Sequence, residues 1–204
     1  MAYFGLTGGV ASGKSTVARM LEALGARIID ADRVGHEFLR SPHPAYQEIV
    51  RRFGREILDF TGEIDRKRLA AVVFADPAKL RELDATLHPR IIARVEELAE
   101  QYRREDAGRV VLVDAALIFE AGIGKRFAKV LVVWCRPEQQ VERLMAKAGL
   151  SREEAERRIA TQMPVEEKRR RADFAIDCSA SLENTRAQVE ALYPELQRLA
   201  ATRC

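Results

Sequence analysis

Short apolar runs alternate with amphipathic stretches along this chain. Tyr3 to Thr7, Arg27 to Asp30, Val110 to Ala115 and Val130 to Trp134 are rich in β-branched residues and do not alternate in polarity, and Phe174 to Ile176 is a weaker fifth run. Runs of this kind predict strands covered on both faces. Between them, apolar residues recur at helical spacing: Val17, Leu21 and Leu24, then Ile49, Phe53 and Ile57, then Ile91, Val95, Leu98 and Tyr102. Strand alternating with helix predicts an α/β fold of three layers, a five-stranded parallel sheet with right-handed crossovers.

The spacing is uneven. The stretch between the second run and the third is far longer than one crossover helix needs. It carries helix-start signals at Asp76-Pro77 and again where Pro89 follows His88. This predicts a helical insertion over about 40–108 that offers room for a second substrate. A helix pair follows the fourth run: Pro137 opens one helix, Gly149 closes it, Ser151 with Glu154 makes a capping box, and Pro164 interrupts the second helix. The last helix starts near Ser181, and Pro194 is expected to kink or restart it. The whole of 1–204 reads as one domain with an insertion, without repeats or flexible linkers.

Composition narrows the class. The chain has 204 residues, 47% hydrophobic and 32% charged, which is globular and not disordered. Its 34 Lys+Arg against 31 Asp+Glu leave a formal +3, too small an excess to argue for a nucleic-acid polymer as partner. Cys135, Cys178 and Cys204 are far apart and lack a metal-site spacing, so neither a disulfide framework nor a zinc site is expected. The start has no basic n-region of a signal peptide and no run is long enough for a membrane span, which predicts a cytoplasmic protein without a membrane partner.

The chemistry is concentrated in Gly8-Gly9-Val10-Ala11-Ser12-Gly13-Lys14-Ser15-Thr16, a G-x-x-x-x-G-K-[ST] loop between a strand and an amphipathic helix. Glycines let successive backbone N–H groups turn inward around phosphate oxygens, and the helix N-terminus adds partial positive charge. ATP is therefore expected on Gly9 to Thr16, with Lys14 bridging the β- and γ-phosphates and the Ser15 hydroxyl ligating Mg2+. The apolar run ending in Asp114 offers a second carboxylate for that ion. The chain lacks an N-K-x-D guanine motif and an L-S-G-G-Q signature, and its length, insertion and helix pair fit a small-molecule kinase. At the end of the second run stand Asp30 and Asp32, of which Asp32 is favoured to orient and deprotonate an attacking hydroxyl; the alternative is that Asp30 caps a helix beside a solvated Asp32.

Over nearly its whole length the sequence resembles the dephospho-coenzyme A kinase family. The match is carried by Gly5 to Thr16, Ile29-Asp30-Ala31-Asp32, Asp65-Arg66 with Leu69 and Val73-Phe74, Leu87-His88-Pro89, Asp114 with Leu117-Ile118-Phe119-Glu120, Gln140 with Arg143, Gln162, and Ala172-Asp173. The resemblance implies ATP-dependent phosphorylation of the ribose 3′-hydroxyl of dephospho-coenzyme A, with Asp32 as base and Arg143, from a lid over about 136–165, on the transferring phosphate. It also implies that the insertion holds the acceptor. His88 is a candidate further contact, Glu120 either orients substrate or caps a turn, and a monomer or weak homo-oligomer is expected.

Four positions depart from the family pattern. Ala11 replaces a common third glycine and suits the loop if its φ is negative; Ala115-Ala116 replaces a proline; Lys147 replaces a second lid arginine; and Cys178 stands in place of Asn. Plainer readings apply elsewhere. His88 can be a structural histidine at a helix start and Arg143 a solvated one; Lys168-Arg169-Arg170-Arg171 reads as a solvated helical face, and Trp134 and Cys135 as packing. The rival functions are a kinase with another small acceptor and a nucleotide-dependent protein that binds nucleic acid through the Lys168–Arg171 run.

Overall fold

The computed structural model describes residues 3–202, so Cys204 lies outside the described residues. In chain order the elements are β1 (Phe4–Gly8), α1 (Lys14–Ala23), β2 (Arg27–Asp30), α2 (Ala31–Glu37), α3 (Pro44–Phe53), α4 (Arg66–Phe74), α5 (Pro77–Glu105) and β3 (Val111–Asp114). They continue as β4 (Val130–Trp134), α6 (Pro137–Ala148), α7 (Arg152–Ala160), α8 (Val165–Arg171), β5 (Phe174–Asp177) and α9 (Leu182–Ala201). Two compact units divide the chain, one made of Met1–Ile29 with Ala99–Cys204 and the other of Asp30–Leu98.

The first unit carries the sheet, in strand order β2-β3-β1-β4-β5. The strands flanking β1 run parallel to it, with Leu6 in register with Asp114 on one side and Leu131 on the other. The same register sense continues from β4 to β5. Phe4, Leu6, Leu112 and Val133 are fully covered because helices lie on the sheet; Val17 and Leu21 of α1 and Val189, Tyr193 and Leu196 of α9 join them in one cluster. A strand order that reverses direction beside β1 opens a crevice at the strands' carboxyl ends, where ligands of such sheets bind.

The second unit holds a separate apolar cluster of Ile49, Phe53, Ile57, Ile64, Leu69 and Val73. The stripe expected to run helically through Ile57 breaks at Gly54, whose φ of 84° ends α3, and Ile57 sits instead in a 3-10 turn over Arg55–Ile57. All three stripe residues are nonetheless buried, since the turn folds the third back onto the same cluster.

Proline signals were partly misleading. Pro77 opens α5, but Pro89 starts no helix; it lies within the 29 residues of α5. Pro194 likewise lies inside a continuous α9. In each case the proline and the residue four before it, Ala85 or Glu190, are exposed, so water can take the carbonyl the ring leaves unbonded. Pro164 does not break a helix either: α7 has already ended at Thr161, and Pro164 is the N-cap of α8. The capping box of Ser151 and Glu154 forms as expected, and Gly149 closes α6. Leu24, assigned to the apolar stripe of α1, caps that helix and is partly exposed.

Candidate nucleotide site

The phosphate loop joins β1 to α1. Gly13, the N-cap of α1, has φ +104°, a left-handed geometry that costs a side-chain-bearing residue about 1–2 kcal/mol. A Cβ there would also stand 3.1 Å from the Cys178 sulfur. Ala11 has φ +59°, and this corrects the expectation of a negative φ: the alanine adopts the left-handed turn that a glycine would adopt without strain. Ser12 is buried and its Oγ has no hydrogen-bond partner, a polar atom held inside the loop. The Lys14 ammonium pairs with the Asp114 carboxylate, joining the loop to the end of β3, while Ser15 is exposed at the start of α1.

Beyond β3 the chain turns through Ala115-Ala116 without the proline. The Ala115 N–H donates to the Leu6 carbonyl at 3.0 Å. The Ala116 carbonyl accepts from the Thr7 hydroxyl at 3.0 Å and from the Lys168 ammonium at 2.7 Å. Three donors and acceptors drawn from β1 and α8 therefore fix this turn.

Lys168 corrects the reading of Lys168–Arg171 as a solvated face. Its side chain has no exposed surface, and its Nζ also meets Glu120 Oε1 at 2.7 Å. Glu120 Oε1 accepts in addition from the Met163 N–H at 2.9 Å. A buried ammonium needs such partners, because leaving it unpaired costs several kcal/mol. The neighbouring charges are also met within the chain: Arg169 lies 4.1 Å from the centroid of the Trp134 ring and 3.4 Å from Glu166, and Arg171 pairs with Glu167. No local signal set Lys168 apart from its three basic neighbours; its burial follows from the way α8 packs.

Arg143 projects from α6, half-buried, and donates to the Cys178 carbonyl at 2.7 Å. With Gly13, Thr16, Cys178, Ala180 and Thr185 it lines a cleft of about 270 Å3. Cys178 therefore lies against the loop glycine in the wall of a cleft. Burial raises its thiol pKa, and burial pushes the Cys135 thiol up to about 11 against the opposing pull of Arg143. Both cysteines pack as small apolar side chains, as expected for Cys135. Lys147 is exposed in the last turn of α6.

In the second unit Asp30 is the N-cap of α2, its side chain accepting from the Arg33 N–H at 2.9 Å, and Asp32 is exposed in the first turn. Asp30 is thus a cap, as the alternative had it. His88 is exposed midway along α5, 3.6 Å from Asp84, and it does not start a helix. Among the described residues no group of three or more His, Cys, Asp or Glu is arranged to hold a metal by itself, and no helix is long and apolar enough to cross a membrane.

A parallel sheet with a phosphate loop after its central strand and an acidic residue ending the neighbouring strand define a nucleotide-binding protein of the P-loop class. A family model described as dephospho-CoA kinase matches residues 2–184, and the chain belongs to that family. A dephospho-CoA kinase of Symbiobacterium thermophilum is 48% identical over 95% of this chain and 80% of its own length. A crystal structure from Thermus thermophilus is 36% identical, covers 96% of this chain and 97% of its own, and superposes with a TM-score of 0.81. The dephospho-CoA kinase from Campylobacter jejuni is 29% identical with a TM-score of 0.72, over 96% of this chain and 97% of its own.

Proposed function

We propose that this kinase transfers the γ-phosphoryl group of ATP to the ribose 3′-hydroxyl of dephospho-coenzyme A, giving coenzyme A and ADP in the last step of coenzyme A synthesis. The observation that carries the reading is the family match over residues 2–184, which includes the phosphate loop. The ATP phosphates are assigned to Gly9 through Thr16, where the unpartnered Ser12 hydroxyl and the N-terminus of α1 offer donors to an anion. Lys14 then exchanges Asp114 for the β- and γ-phosphates, so that its charge follows the charge moving in the transfer.

The Ser15 hydroxyl and the Asp114 carboxylate are hard oxygen donors and would hold Mg2+. When bound, Mg2+ offsets the negative charge of the β- and γ-phosphates. Asp32 is assigned to orient the 3′-hydroxyl and take its proton, and its exposure leaves the carboxylate accessible to an acceptor. Arg143 is assigned to the transferring phosphate, for which its guanidinium must leave the Cys178 carbonyl. We assign the acceptor to the Asp30–Leu98 unit, with His88 and Glu120 as contacts, the helix pair over 136–165 to a lid, and the protein to the cytoplasm.

The test is ADP release measured over a panel of acceptors: dephospho-coenzyme A, nucleosides, nucleotides and shikimate. Saturable ADP release with dephospho-coenzyme A, and a product heavier by one phosphoryl group, is the expected result. ADP release no faster than with water alone would overturn the assignment.

A further inference from the structure

Two glutamines singled out in the sequence, Gln140 and Gln162, carry no chemistry in the transfer itself. Both reach the same residue of the phosphate loop, through the two peptide units that flank the Val10 Cα. The Gln140 side-chain amide donates to the Val10 carbonyl at 2.8 Å, and the Val10 N–H donates to Gln162 Oε1 at 3.1 Å. Gln140 lies in α6 and is only 2% exposed; Gln162 lies just beyond α7. The apex of the loop is thus gripped through both its polar groups, from the first helix of the pair and from the segment after the second.

Packing repeats the arrangement. Val141, Leu144 and Ala155 of α6 and α7 form a small core, and Val10 and Ala11 pack against it. A Cβ on Gly9 would come within 2.3 Å of Gln140 Nε2 and 3.4 Å of the Val165 Cβ. A side chain at the second loop glycine would therefore displace the Gln140 amide from the Val10 carbonyl. The left-handed turn at Ala11 follows directly on the clamped residue.

We propose that Gln140 and Gln162 are positioning residues for phosphoryl transfer: their amides clamp the backbone of Val10 on both sides of its Cα and thereby make the nucleotide-binding shape of the phosphate loop depend on the α6–α7 helix pair. An amide side chain suits this task because it offers a donor or an acceptor without placing a charge beside phosphates. The coupling runs both ways, so any shift of the helix pair on nucleotide binding pulls the loop apex with it. The proposal rests on the kinase reading only in taking ATP as the loop's ligand.

The test compares Gln140→Leu and Gln162→Leu with Gln140→Glu and Gln162→Glu in the full chain. Each Leu variant should raise the ATP KM and Kd about tenfold, the effect of losing one buried hydrogen bond and stranding its partner, with the acceptor KM within about twofold of the parent. Amide exchange at Val10, measured without nucleotide or acceptor, should accelerate in Gln162→Leu and stay slow in Gln162→Glu, which keeps an acceptor. Gln140→Glu, which loses the donor, should bind ATP no better than Gln140→Leu. A packing role alone would not separate the two Glu variants in this way. Unchanged ATP affinity and unchanged Val10 exchange in Gln162→Leu would overturn the proposal, as would Val10 exchange equally fast in Gln162→Leu and Gln162→Glu. Should Gln140→Leu fail to fold, the half-exposed Gln162 pair decides alone. Failure of the dephospho-coenzyme A reading would show separately, as absent turnover in the parent chain with the clamp still visible in exchange and in ATP binding.

Discussion

In the sheet-bearing unit the Lys168 ammonium is wholly covered and meets Glu120 at 2.7 Å. In the Asp30–Leu98 unit Arg90 meets Glu48 at 2.8 Å with 37% of the arginine side chain exposed. The two distances are nearly equal, but the energetics are not. A pair in solvent is screened and contributes about 0–1 kcal/mol, whereas removing one partner of a covered pair costs about 3–5 kcal/mol. The helical unit keeps its centre apolar and leaves its ion pairs, including Arg52 with Glu48 and Arg68 with Asp65, at the surface. The sheet unit draws Lys14, Asp114, Lys168 and Glu120 inward, next to the phosphate loop and the turn after β3.

That contrast can be broken most sharply at the phosphate loop. Lys14→Ala should lower kcat by about a thousandfold in the ADP-release assay, since one aimed donor in such a site contributes 10²–10³ or more. Activity within tenfold of the parent would show that the lysine serves Asp114 alone. Next, Lys168→Ala should destabilise the chain by about 3 kcal/mol in urea unfolding, while Arg90→Ala stays below about 1 kcal/mol. Equal losses at the two positions would abolish the distinction between the units. Asp32→Asn should cost about a hundredfold in kcat with the ATP KM and the melting temperature unchanged, because the carboxylate is exposed and caps nothing. The smallest effect concerns backbone strain: Ala11→Gly should add about 1 kcal/mol of stability by relieving the positive φ, read from the same unfolding curves. A loss of stability there would mean that the alanine methyl's packing against α6 and α7 outweighs the strain.

The strands, the phosphate loop, the capping box and the closing glycine of α6 were all legible because each depends on contacts within a few residues. The apolar runs at Val110 and Val130 must be covered wherever they lie, and Gly13 must turn the chain before Lys14. Prolines were less legible. Whether Pro89 and Pro194 stop a helix depends on whether water reaches the carbonyl they leave free, a question of surface position.

By itself the sequence determined the class of fold, the phosphate-loop motif and the family, because backbone periodicity and the G-x-x-x-x-G-K-[ST] spacing are local properties. Only the tertiary structure decided that Lys168, in a run of four basic residues, is the one withdrawn from solvent, and that Gln140 and Gln162 meet on one residue of the phosphate loop, Val10. Lys168 lies 52 residues from Ala116, and Gln162 lies 152 from Val10. Burial and hydrogen bonding across such separations are set by how the sheet and its helices pack, which no local pattern encodes.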